Sequence, residues 1–126
     1  MGGADLRISL FYDNSQGVAW RVETLNAAVD AEIEALPGDV RARLTHIGRM
    51  IAEFGLIRIR EPYVKHLDGK MWEMRAGGRG GIARAIYVAA IGQRVVILHA
   101  FVKKSQKTPA RALGLAIKRA KEAGLI

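Results

Sequence analysis

The sequence has no cysteine, only 6% aromatic residues and no apolar run long enough to cross a membrane. Without cysteine the chain can form neither disulfides nor a thiolate metal site, and its three histidines show no ligand spacing. The longest apolar segments, such as IYVAAI and VVILHAFV, are far shorter than the roughly 20 residues of a membrane helix. The opening residues, MGGADLRIS, lack the apolar core of a signal peptide. We therefore expect a soluble, cytoplasmic protein with no cofactor, no metal and no membrane partner.

Acidic residues are almost missing from the C-terminal part of the chain. Residues 74–126 contain 11 basic residues and one acid, Glu122, whereas residues 1–73 contain 9 basic and 11 acidic residues. The formal net charge of +8 is therefore concentrated after residue 73. A polyanion such as RNA is a suitable partner, because each Lys or Arg set against a phosphate releases a bound counterion. The alternative is the solvated surface of a basic protein.

The 126 residues, of which 50% are hydrophobic, suit one domain spanning 1–126. Alternation over residues 6–12 predicts a strand. Apolar residues then recur every three or four positions over residues 19–36, which predicts an amphipathic helix that Pro37 and Gly38 end. A second helix is predicted from Asp39 as its N-cap to a break at Gly55. These two helices form a predicted hairpin.

After this hairpin the apolar period changes to two, which is typical of strands. The segments are LIRIR (56–60), KMWEMR (70–75), IARAIYVAAI (82–91) and RVVILHAFV (94–102). Gly92 and Gln93 predict a tight hairpin between the last two segments. Thr108 and Pro109 predict the N-cap and first residue of a final helix. The predicted fold is α+β, in the order β-α-α-β-β-β-α, with a mainly antiparallel sheet.

Several basic residues and one histidine are predicted to meet at one rim of this sheet. His99 interrupts an apolar row of the last strand, which is predicted to be central, with Val95, Ile97 and Phe101 on the same face. Lys103 and its neighbours follow where this strand ends. The histidine is either a hydrogen-bonded core residue or a proton-transfer group, and the sequence leaves both interpretations open.

The series LDGKMWEMR (67–75), RAIYVA (84–89), VVILHAFVKKSQKTP (95–109) and a helix beginning ARALGLAIKRA resembles a known group of proteins. It is similar to the HigB-type, phage-derived branch of the RelE/ParE toxin superfamily over residues 6–122. The resemblance implies a RelE-like sheet with two N-terminal helices and a C-terminal helix. It also implies a ribosome-dependent endoribonuclease that cuts mRNA, and a cognate antitoxin, often a helix-turn-helix protein. A ParE-like toxin that inhibits DNA gyrase without catalysis is the alternative.

The resemblance also assigns roles to individual residues. Arg84 matches the strand arginine that RelE-like toxins direct at the scissile phosphate, and Glu73 is expected to be a structural partner of Arg75. The predicted catalytic residues are Arg84, His99, Lys103, Lys104 and Lys107. The predicted RNA-binding residues are Arg75, Arg79, Arg111, Lys118 and Lys121.

Cleavage of RNA without a metal suits these residue types. The neighbouring 2′-hydroxyl is the nucleophile, so the protein must move protons and stabilise charge on the phosphorane. An arginine can reach two phosphate oxygens at once. RelE itself has a tyrosine in the last part of its chain that stacks on the substrate base, whereas here no aromatic residue follows Phe101. Trp72 and Tyr87 either take the stacking role or pack in the core.

Overall fold

The computed structural model describes the backbone of residues 10–13 and residues 20–126. One six-stranded sheet carries helices on both faces. The strands are β1 Leu10–Asp13, β2 Arg21–Thr24, β3 Val64–Asp68, β4 Met71–Gly78, β5 Gly81–Ala90 and β6 Arg94–Lys103. The helices are α1 Ala27–Glu34, α2 Gly38–Phe54 and α3 Ala110–Glu122, with a 3-10 helix at Leu56–Arg58.

The strand order across the sheet is β1-β2-β6-β5-β4-β3. Strand β6 is therefore central, as its two apolar faces predicted. All neighbouring strands are antiparallel except β2 and β6, which are parallel. The bidentate pair of Arg94 with the buried Glu23, with N–O distances of 2.9 and 3.0 Å, joins these two strands.

Each face of the sheet has its own apolar core. Helices α1 and α2 cover one face, where Val29, Leu44 and Ile51 pack against strand residues such as Tyr87. Helix α3 covers the other face through a row of small residues. The buried members of that row are Ala112, Ala116 and Ala120, which pack on Ile86, Val88, Val96 and Leu98. Small residues let the helix backbone approach the sheet closely, so α3 and the end of β6 lie near each other.

A β-bulge in β6 decides the direction of its last side chains. Ile86 of β5 pairs with His99, but the next residue, Tyr87, pairs with Ile97, so Leu98 is the additional residue. The prediction that His99 and Phe101 share the face of Ile97 is therefore wrong. Because directly opposed residues share a face, the bulge places His99 with Ile86 on the α3 face.

The α+β class, the mainly antiparallel sheet, the helical hairpin, the β5–β6 hairpin and the final helix are confirmed. The element order is wrong, because two strands precede the helices and four follow them. The predicted helix over residues 19–36 begins only at Ala27, since residues 21–24 form β2 beside β6. Asn26 is the N-cap, and its side chain accepts a bond from the Val29 amide at 3.1 Å. Of the predicted first strand, residues 6–9 lie outside the described residues.

Two further local predictions are wrong. LIRIR forms a 3-10 helix at Leu56–Arg58, and the strand that borders β4 is instead Val64–Asp68. The cap of α3 is Pro109, because the Thr108 hydroxyl donates to the buried Glu73 carboxylate at 2.8 Å. The cap of α2 is Pro37, and Asp39 lies in the first turn of that helix. No helix within residues 20–126 is both long and apolar enough to cross a bilayer.

Candidate functional site

A cleft of about 430 Å³ opens between the end of β6 and the start of α3. It is lined by His99, Phe101, Val102, Lys103, Pro109, Arg111, Ala112 and Leu115. We call it the His99 cleft. It brings together three of the predicted site residues, His99, Lys103 and Arg111. A half-buried imidazole, an ammonium group and a guanidinium group around one apolar floor are suited to an anionic ligand.

A carboxylate on helix α1 holds the His99 ring in place. Strand β2 pairs with β6 only as far as Ile97, so the edge of β6 beyond that residue has no strand partner among those described. Glu32 of α1 reaches this edge, where its Oε1 accepts from the Ala100 amide at 3.1 Å and lies 2.9 Å from His99 Nδ1. The His99 ring also stacks on Phe101 with centroids 4.9 Å apart. Since Nδ1 is engaged, Nε2 is the ring nitrogen that remains for a ligand in the cleft.

The Glu32 carboxylate also binds α3. Arg119 donates to Glu32 Oε1 at 3.2 Å, lies 3.0 Å from Oε2, and donates to the Leu98 carbonyl at 2.8 Å. Burial alone would raise the pKa of the Glu32 carboxyl, but bonds from His99, Arg119 and the Ala100 amide outweigh it and lower the pKa to about 2. Glu32 is therefore charged at neutral pH, and it can orient the ring and stabilise an imidazolium.

Arg84 is fully buried and does not lie exposed at the rim of the sheet. Its guanidinium donates to Thr108 Oγ1 at 3.1 Å and to the Ser105 carbonyl, and it lies 3.7 Å from Glu73 Oε1. Burial lowers the pKa of this guanidinium, while the Glu73 carboxylate offsets part of the effect. Contact of Arg84 with a phosphate stays a prediction, and it would require the chain around Ser105 to move.

Glu73 is the centre of this buried charge cluster. Its Oε1 accepts from Arg75 Nε at 2.7 Å, which confirms the predicted structural pairing. Arg75 also donates to the Gln106 carbonyl at 2.7 Å. Through Arg75, Arg84 and Thr108, the cluster holds the segment of residues 104–109, which we call the lysine loop. Hydrogen bonds from Arg75 and Arg84 thus hold the backbone of this loop, while its lysines lie outside.

The other predicted site residues are distributed over the surface. Lys104 and Lys107 are exposed on the lysine loop, and neither is among the residues that line the His99 cleft. Arg79 is exposed in the β4–β5 turn, and Lys118 and Lys121 are exposed on α3. Of the two aromatic candidates, Tyr87 is buried in the core with its pKa raised by burial. Trp72 is 37% exposed, so the core interpretation is wrong for it.

Sequence reasoning missed Glu32 and Arg119, the two residues that hold His99. Glu32 lies 67 positions before His99, and Arg119 lies on a different helix. Both occupied positions typical of solvated helix surfaces, so no local pattern marked them. Strand β2 ends at Thr24 and leaves the edge of β6 open beyond Ile97. The Glu32 carboxylate reaches the His99 ring at this open edge.

Within residues 20–126, no group of three or more His, Asp or Glu side chains is arranged to hold a metal ion. The ionisable groups that line the His99 cleft are the imidazole of His99, the ammonium group of Lys103 and the guanidinium group of Arg111.

The fold and the cleft define a small basic α+β protein whose cleft is lined by a histidine and two cationic side chains. The family model described as phage-derived protein Gp49-like (DUF891) matches residues 31–121. The chain belongs to this family, which is associated with toxin–antitoxin systems of the RelE/HigB type. No curated protein matches the chain significantly.

Proposed function

We propose that this protein is the toxin of a toxin–antitoxin pair and acts as a ribosome-dependent mRNA endoribonuclease. The family membership supports the toxin role, and the α+β sheet is consistent with a RelE-like fold. The observation that carries the catalytic part is His99, held 2.9 Å from Glu32 at the wall of a cleft that Lys103 and Arg111 also line. This arrangement provides one proton-transfer group and two cations at one place.

The proposed reaction follows from these groups. The 2′-hydroxyl attacks the adjacent phosphorus, the bond to the 5′-oxygen breaks, and a 2′,3′-cyclic phosphate forms. His99 Nε2 makes one of the two proton transfers, taking the proton of the 2′-hydroxyl or protonating the departing 5′-oxygen, and a water molecule makes the other. Lys103 and Arg111 stabilise the charge that develops on the phosphorane oxygens. Glu32 is a positioning residue, because it acts on the substrate only through His99.

The buried cluster around Glu73 has a structural role in this proposal. Arg84 positions the lysine loop from inside through Ser105 and Thr108. Lys104 and Lys107 are then presented to the phosphates of mRNA or ribosomal RNA. Arg79, Lys118 and Lys121 extend this exposed basic surface and contribute to docking on the ribosome. The ribosome would hold the mRNA in reactive geometry. This positioning adds to the rate enhancement that the groups of the cleft provide.

The cognate antitoxin, which we propose to be a helix-turn-helix protein, binds the same basic surface through an acidic or amphipathic segment. This surface is the one that attracts RNA, so covering it blocks the ribosome directly. Antitoxin and ribosome are then expected to compete. Unchanged affinity for the ribosome in the presence of the antitoxin would contradict this masking.

Single-turnover cleavage of mRNA on programmed ribosomes saturated with protein tests the proposal. His99→Ala should cut cleavage by roughly a hundredfold to ten-thousandfold, the range for loss of a general acid or base. His66→Ala is the matched control, because His66 is exposed on β3 and does not line the His99 cleft. Thermal melts of each variant separate loss of activity from loss of fold. A parent protein that cuts no mRNA but inhibits supercoiling by gyrase would refute the ribonuclease proposal.

A further inference from the structure

A second cleft, of about 400 Å³, lies at the outer edge of β4. Strand β3 pairs with β4 only from Met71 to Met74, and just beyond it the Arg75 amide donates to the Tyr63 carbonyl. Its lining includes three cations, Arg43, Lys65 and Arg75, and the aromatic residue Tyr63. We call it the edge cleft. Gln106 of the lysine loop also lines it, so the loop lies between this cleft and the His99 cleft.

The edge cleft has a surplus of positive charge. Its cations face a single acid of the lining, Glu61. Beneath it, the one carboxylate of Glu73 is shared by two guanidinium groups, those of Arg75 and Arg84. Two guanidinium groups on one carboxylate give that cluster a net charge of about +1. The Arg75 side chain is 14% exposed and lines the edge cleft, so part of the surplus positive charge is accessible there. A singly charged anion such as a phosphodiester matches it.

Tyr63 presents an aromatic ring in the same cleft. The residue is 47% exposed, so its ring is accessible to a ligand. Its backbone is fixed, since its carbonyl accepts from the Arg75 amide at 2.9 Å and its amide donates to the Arg60 carbonyl at 3.0 Å. A ring on an anchored backbone loses little entropy when a flat ligand stacks on it. Unpaired RNA bases are the flat ligands that come with a phosphodiester.

We propose that the edge cleft binds one unpaired nucleotide of a single-stranded RNA. The base stacks on Tyr63, and its phosphodiester is held by Lys65 and Arg75, with Arg43 at the rim. Arg43 is fixed there by its bond to the Gly77 carbonyl. This inference rests on the proposed function, since the bound RNA then continues along the lysine loop to the His99 cleft. It also supplies the stacking aromatic that is missing from the C-terminal part of the sequence.

Fluorescence anisotropy with a short labelled single-stranded RNA and the free protein tests the edge cleft without the ribosome. Tyr63→Ala should weaken binding roughly five- to hundredfold, the range for loss of one base stack. Tyr63→Phe keeps the ring and should bind like the parent. Lys65→Ala should weaken binding and reduce the slope of log affinity against log salt by about 0.7. Lys70→Ala, which removes the same charge from the exposed β3–β4 turn, is the matched control and should keep the parent slope.

The possible results separate the two proposals. Equal RNA affinity of Tyr63→Ala and Tyr63→Phe would overturn the edge cleft as a nucleotide site, whatever the cleavage assay shows. Tyr63-dependent binding of an acidic peptide, without Tyr63-dependent binding of RNA, would overturn it in favour of a protein partner. Tyr63-dependent RNA binding by a parent that cuts no mRNA on ribosomes would support the edge cleft and refute the ribonuclease proposal alone.

Discussion

Replacing Arg84 by alanine is expected to destabilise the fold rather than only remove a charge from a site. The guanidinium is fully buried, and its loss deprives the Ser105 carbonyl of a donor and leaves a cavity beneath the lysine loop. Removing one partner of a buried ion pair costs about 3 to 5 kcal/mol. Glu73 keeps Arg75 at 2.7 Å and the Thr108 hydroxyl at 2.8 Å, so the lower end, about 3 kcal/mol, is expected.

Urea denaturation of the parent, Arg84→Ala and Arg84→Lys measures this cost. Arg84→Lys keeps the charge but cannot donate to Ser105 and Thr108 in the same planar geometry, so an intermediate loss is expected. Lys104→Ala is the matched control on the lysine loop, because an exposed lysine changes stability by no more than about 0.5 kcal/mol. A stability of Arg84→Ala within about 0.5 kcal/mol of the parent, together with lost cleavage, would show that Arg84 acts on the substrate.

Three further predictions concern Glu32 and the surface of α3. Glu32→Gln should reduce single-turnover cleavage strongly in the parent but add nothing in the His99→Ala background, because the carboxylate acts through the ring; additive losses would contradict this. The stabilisation that Glu32 provides should be complete above pH about 4.5 and be lost as the pH falls through about 2, since its pKa is lowered from 4.5 to about 2 in the fold. A gap in unfolding free energy between parent and Glu32→Gln that stays constant down to pH 2 would refute this. Lys118→Ala and Lys121→Ala should weaken ribosome association modestly and make it less salt-sensitive, with the cleavage rate at saturation unchanged.

The parts of the fold that were predicted correctly are those whose burial follows from their own residues. Strands β4, β5 and β6 alternate or are apolar on both faces, so local pattern and tertiary environment agree. Residues 21–24 were misassigned because Val22 and Leu25 also fit the period of the helix that follows. Asn26, which caps that helix, was the residue that indicated a later start of the helix. LIRIR alternates like a strand, yet Ile57 is 83% exposed, so its pattern does not reflect burial.

The candidate site was predictable in its residue types but not in its geometry. Strand spacing placed Lys103 near His99, because both lie on β6. The direction of His99 depends on the bulge at Leu98, which is visible only from the pairing of β5 with β6. The burial of Arg84 depends on Thr108 and Ser105, more than 20 residues later in the chain. Contacts of this kind leave no trace in local periodicity.

The basic residues after position 73 fall into two sets in the structure. Four of the eleven basic residues after position 73 are arginines that pair with carboxylates of the acidic part of the chain. These pairs are Arg75 and Arg84 with Glu73, Arg94 with Glu23, and Arg119 with Glu32. Arginine suits these places, because its planar donors match carboxylates and its charge persists when buried.

The other seven basic residues after position 73 are all exposed. They are Arg79, Lys103, Lys104, Lys107, Arg111, Lys118 and Lys121. Lysine predominates here, as expected for strongly hydrated charges that act at a distance. The two sets therefore differ in what their loss should change. Replacing a paired arginine lowers stability, whereas replacing an exposed cation outside the clefts changes association with a polyanion and its dependence on salt.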